Sequence, residues 1–147
     1  MTWLYSTVYV LSYGVWLPKY LEFDKGSVER LFDEVRALCL DFRSEPVEVP
    51  GPYRGIMCMF ERELPIDIDV NRRRAGISIR ILAGSKEEPH VVEVFIPDEE
   101  VDRVAVEAHG IRVDDLFYTT NNRFTTTTRI RWLELRQIGR NITLVLG

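Results

Sequence analysis

The feature that most constrains this chain is an alternation with a period of two between Tyr53 and Val70. Ile56, Cys58, Phe60, Leu64, Ile66, Ile68 and Val70 share one parity. Met57, Met59, Glu61, Glu63, Asp67 and Asp69 occupy the other. Successive side chains of a strand point to opposite faces, so this pattern predicts a strand with one apolar and one wet, acidic face. Pro65 allows either one very long strand or two interrupted there. A basic turn, Asn71–Gly76, leads to Ile77, Ile79 and Ile81 in the next strand, which predicts a hairpin. Gly84–Pro89 is a second turn, and His90–Ile96 a further strand.

The same rhythm extends to the ends of the chain. Residues 2–16, rich in β-branched and aromatic side chains, read as one long strand, and 17–26 as a linker with Pro18 and Gly26. Leu116–Thr120 and Arg123–Arg136 flank Asn121-Asn122, a hairpin tip, and Ile142–Leu146 is the last strand. Within 124–136 the apolar parity changes: Phe124, Ile130 and Trp132 are even, Leu133 and Leu135 odd. Such a phase flip predicts a β-bulge or change of face near Trp132-Leu133.

Two segments depart from this period. Val28, Leu31, Phe32, Val35, Leu38, Cys39 and Phe42 recur at helical spacing behind Ser27, an N-cap residue type, so an amphipathic helix is expected over 27–42. Pro97-Asp98-Glu99-Glu100, an apolar stripe of Val101, Val104, Ala105 and Ala108, and Gly110 suggest a shorter second helix over 98–109. The fold class is therefore α+β. Its sheet is largely antiparallel, with about seven to eight strands, strongly curved or even barrel-like, and it packs on one main helix. The 147 residues are expected to form a single globular domain.

Composition narrows the functional classes. Apolar residues make up 46%, so the chain can build a core without a metal or disulfide. Cys39 and Cys58 are too few for a four-ligand zinc site, and both point inward, so two buried free thiols are expected. A disulfide between helix and strand is the alternative, suited to an oxidising compartment or a hyperthermophile. The first basic residue is Lys19, and the apolar stretch 3–17 is broken by Ser6, Thr7, Ser12 and Gly14. Neither a secretory signal nor a membrane helix fits, so a cytoplasmic location is expected. The 16 Arg against three Lys and the single Gln would suit a thermophile, or only a GC-rich genome.

Net charge is −4 but unevenly spread: residues 84–110 carry −6 and residues 111–147 carry +3. Arg72, Arg73, Arg74 and Arg80, with Arg129 and Arg131 near Phe124 and Trp132, are the candidate binding cations. Guanidinium groups meet phosphate and aromatic rings meet bases. Trp3, Tyr5, Tyr9 and Tyr13 form an aromatic stripe, the residue types that carry interface energy. Glu61, Glu63, Asp67 and Asp69 are a conceivable Mg²⁺ or Mn²⁺ face, without a nearby His or Lys to complete it. His90 opens a strand, and His109 has a structural explanation at a helix C-terminus. No phosphate loop or catalytic spacing occurs, and no cofactor is expected.

These features point to a non-enzymatic module that binds protein, as a complex subunit or homo-oligomer. Binding of RNA or single-stranded DNA at the arginine-rich strands is the alternative, and a metal-dependent phosphate-handling enzyme comes third.

Overall fold

The computed structural model describes residues 3–12, 15–24, 26–116 and 123–147, the first two segments by their backbone alone. Two strands, β1 (Trp3–Ser12) and β2 (Val15–Asp24), pair antiparallel in a two-stranded sheet. One helix follows, α1 (Ser27–Asp41). Eight strands then make the main sheet: β3 (Val47–Val49), β4 (Arg54–Arg73), β5 (Gly76–Gly84), β6 (Pro89–Pro97), β7 (Arg103–Ala108), β8 (Ile111–Asp115), β9 (Arg123–Ile138) and β10 (Asn141–Leu146). The strand order is β6-β5-β4-β9-β10-β7-β8, with β3 also paired to β4. All pairs are antiparallel except β10–β7. The path ends at β6 and β8, so the sheet is open and not a closed barrel.

From Ile56 to Val70 the even parity of β4 is buried except at Arg62, and Pro65 does not interrupt it. Ile77, Ile79 and Ile81 of β5 and Val92, Val94 and Ile96 of β6 lie on the same inner face. So do Leu133 and Leu135 of β9, Ile142, Leu144 and Leu146 of β10, and Val104 and Val106 of β7, all in one continuous core. The stripe Val28, Leu31, Phe32, Val35, Leu38 of α1 is buried against it, packed on β4 and β6. Removing a ring such as Phe32, wholly buried, costs about 3–5 kcal/mol by the usual cavity arithmetic.

Several expectations are corrected here. Residues 98–109 are not a helix. Residues 98–100 form a turn and Arg103–Ala108 is β7, a strand covered on both faces, with Val104, Ala105 and Val106 all buried. A strand buried on both faces loses its alternation and imitates helical spacing. Gly110 (φ 80°) follows His109 (φ 52°) in the two-residue turn to β8. Positive φ at both positions is the hairpin geometry that matches strand twist, not a helix cap. The expected long strand 2–16 and linker 17–26 are instead the hairpin β1–β2. Pro18 pairs with Tyr9 there, tolerable because each strand of a two-stranded ribbon has a free side. Ser27 is the first helical residue rather than the cap. Gly26 holds that position, and the Val28 amide donates to Glu100 Oε2 at 3.2 Å instead. The proposed strand Leu116–Thr120 and the tip Asn121-Asn122 fall, from residue 117 on, outside the described residues. No helix among the described residues is long and apolar enough to cross a membrane.

The cysteines are not free thiols: Cys39 of α1 and Cys58 of β4 form a disulfide, with Cα atoms 5.9 Å apart. The bond closes a short loop of chain, with a sequence separation of 19. Loop-closure entropy assigns such a link about 3 kcal/mol. Urea unfolding with and without dithiothreitol, or of Cys39→Ser, should show a loss near that size.

Candidate functional site

The pairing of β4 with β9 is broken once. Met59 pairs with Trp132 and Leu64 with Ile130, so Phe60–Glu63 face Arg131 alone. From Met59 to Leu64 is an odd number of steps, so β4 keeps its alternation through the bulge. On β9, Ile130 and Leu133 both point inward, so its alternation breaks at Arg131. This is the phase flip visible in the sequence. Arg131 Nη1 donates to the Glu61 carbonyl at 2.6 Å, tying the bulge to β9.

The opposite side of β4 is open at the same level. β3 pairs with Gly55–Met57 and β5 with Ile66–Arg73. Between them, residues 58–65 have no strand neighbour on that side among the described residues. Pro65 stands in this gap, next to the first residue paired with β5, where its missing N–H breaks no ladder bond on that side.

A cleft of about 420 Å³ lies there, walled by the bulge, the end of α1 and the start of β6. The size falls within the range of small-ligand and peptide pockets. The α1 wall is built by a Schellman ending: Arg43 N–H donates to Leu40 O at 3.0 Å and Ser44 N–H to Cys39 O at 2.9 Å. The motif puts the residue after the cap in the left-handed region, normally glycine. Here it is Arg43, with φ 56°. Phe42 forms the floor. Its ring stands edge-on to Phe60 at 6.0 Å and to His90 at 4.6 Å between centroids. His90 Nδ1 lies 3.3 Å from Asp41 Oδ2, joining β6 to the helix end. Gly84 (φ 96°) turns the chain from β5 toward this wall, and any Cβ there would come within 2.7 Å of the Glu88 carbonyl. Glu61 and Glu88 of one sign and Arg43 and Arg62 of the other complete the rim.

None of Arg72, Arg73, Arg74, Arg80, Arg129 and Arg131 lines this cleft. Arg80 meets Glu93 at 3.3 Å, Arg129 meets Glu63 at 3.7 Å, and Arg123 meets Asp69 at 2.7 Å, all on the outer face. Arg72 reaches Asp98 at 3.1 Å and Arg73 donates to Ser78 Oγ at 3.0 Å. Arg74 lies exposed in the β4–β5 turn. Arg72, Arg80, Arg123 and Arg129 are thus answered by carboxylates, whereas Arg73 meets a hydroxyl, Arg131 meets a backbone carbonyl and Arg74 stands exposed. The carboxylates do not converge either: Asp69 and Glu63 are held by Arg123 and Arg129, while Glu61 belongs to the bulge. No group of three His, Cys, Asp or Glu among the described residues could hold a metal. Trp3, Tyr5 and Tyr9 lie on β1, described by backbone only, and Tyr13 lies outside the described residues. His109 sits in the β7–β8 turn with Nε2 3.0 Å from Thr128 Oγ1.

Sequence reasoning missed the cleft because its three walls lie far apart in the chain. The one local signal was the parity change near Trp132. A buried carboxylate elsewhere is fully satisfied: Glu134 accepts from Tyr53 Oη at 2.9 Å and from Arg136 Nε and Nη2, both at 2.9 Å. The chain matches no protein-family model, no curated protein and no solved structure.

Two measurements test this geometry. Arg43→Gly should raise stability by roughly 1 kcal/mol in chemical denaturation, because it relieves a left-handed non-glycine residue. A loss of stability would contradict the ending described. The bond to Glu134 holds the Tyr53 hydroxyl above the ordinary tyrosine range. Its contribution is therefore present below that range and lost as pH rises through the raised value. Absorbance titration at alkaline pH should show one late-ionising tyrosine that disappears in Tyr53→Phe.

Proposed function

We propose that the chain is a non-enzymatic binding module that works through protein–protein contacts, and that the cleft beside the β4 bulge is its contact site. One observation carries this reading: an open cleft with an aromatic floor adjoins the only interruption of the β4–β9 ladder. Bulges re-aim side chains and end pairing where a site is needed. Charges of both signs on the rim suit a polypeptide partner, whose own side chains carry both signs. Carboxylates answer Arg72, Arg80, Arg123 and Arg129, which leaves single-stranded nucleic acid fewer uncompensated cations to hold. The partner's chemistry is that of a peptide with an apolar residue for Phe42 and Phe60 and polar neighbours for the rim.

Selection from a random linear-peptide display library tests the proposal. Selected peptides should perturb the amide signals of residues 41–43, 60–64 and 88–90 in NMR spectra. Arg62→Glu should weaken them several-fold while shifting stability by less than about 0.5 kcal/mol, as exposed substitutions do. An empty selection, or perturbations confined to other surfaces, would rule the site out.

A further inference from the structure

We infer that the occupant of the cleft is an extended peptide segment that joins the sheet as an added strand in the gap between β3 and β5. This rests on the reading of the cleft as a protein-binding site. The argument comes from the backbone. On the gap side, residues 58–65 of β4 lack a strand neighbour among the described residues, whereas Gly55–Met57 and Ile66–Arg73 are paired. An unpaired stretch of strand presents a row of N–H and C=O groups, a template for another chain. The two end strands of the main sheet are blunted. The β6 edge is bounded by Pro89 and Pro97, and β8 is five residues long, with Val113 skipped in its pairing to β7. The gap in β4 carries neither device until Pro65.

Direction and register follow from the neighbours. Both β3 and β5 run antiparallel to β4, so a strand filling the space between them continues their line in the same sense. Pro65 has no donor and Ile66 is already paired with Ala83, so pairing runs over residues 58–64. Alternate residues of the segment face opposite sides of the sheet. Those on the side of Phe60 and Leu64 enter the cleft above Phe42. Arg62 and Glu88 meet charged side chains at its mouth.

The test uses a selected peptide made as a series, each member N-methylated at one backbone position. Strand addition predicts that methylation at every second residue weakens binding about tenfold, the cost of one backbone hydrogen bond with its donor blocked, while the intervening positions tolerate it. Amide exchange of residues 59–64 should slow in the complex. Uniform tolerance of N-methylation, with cleft signals still perturbed, overturns the added strand and leaves the contact site standing. Perturbations at the β6 or β8 edge, or no selected peptide, overturn both.

Discussion

The inward row of β4 is the constraint on which the rest of the molecule depends. Ile66, Ile68 and Val70 pack with β5, β6 and the helix. Ile56 and Cys58 pair with the far end of β9, and Cys58 is bonded to Cys39 of the helix. A single strand of 20 residues therefore belongs to both ends of the core. Apolar burial of this kind contributes roughly 1.5–3 kcal/mol per large side chain, against which any one surface ion pair is small. The helix and its disulfide attach to that row, and so does the hairpin that returns through β9.

Three departures from ideal geometry border one cleft: the bulge at Phe60–Glu63, the left-handed Arg43 and the interrupted edge of β4. A fold tolerates such local conflicts where the surrounding structure over-determines them, and they tend to gather at working surfaces. Others lie apart from the cleft: Ala75 (φ 70°) and His109 (φ 52°) are left-handed in turns, and the β7–β8 register shifts once. On the outer face Asp69, Glu63 and Glu93 are answered by arginines, the Glu134 carboxylate is saturated by Tyr53 and Arg136, and glycine turns the chain at Gly84 and Gly110.

Much of the sheet was legible because one face of it is wet. Ile77, Ile79 and Ile81, or Val92, Val94 and Ile96, declare both element and inner face by spacing alone, and Val28 to Cys39 do so for the helix. Legibility failed where both faces are covered. Val104, Ala105 and Val106 carry no alternation, so β7 resembled a helix. It failed again where meaning depends on neighbours distant in sequence. Spacing showed that Cys39 and Cys58 point inward, not that they meet. It showed arginines on strands, not that Asp69, Glu63 and Glu93 stand within reach of them. The cleft joins the helix end, the bulge and the β6 start, and only the break in rhythm at Trp132 hinted at one of the three.

The paired charges of the outer face act as a vernier for the assembling sheet. Arg80 stands directly across from Glu93, and Arg123 and Arg129 reach carboxylates on β4 two residues away from their own partners. A slip by a single residue would separate these ions while it turned the isoleucine rows toward water, so both penalties fall on the same error. Misaligned sheets are thus disfavoured twice, and a chain with so many strands gains a safeguard against pairing with the wrong copy of itself.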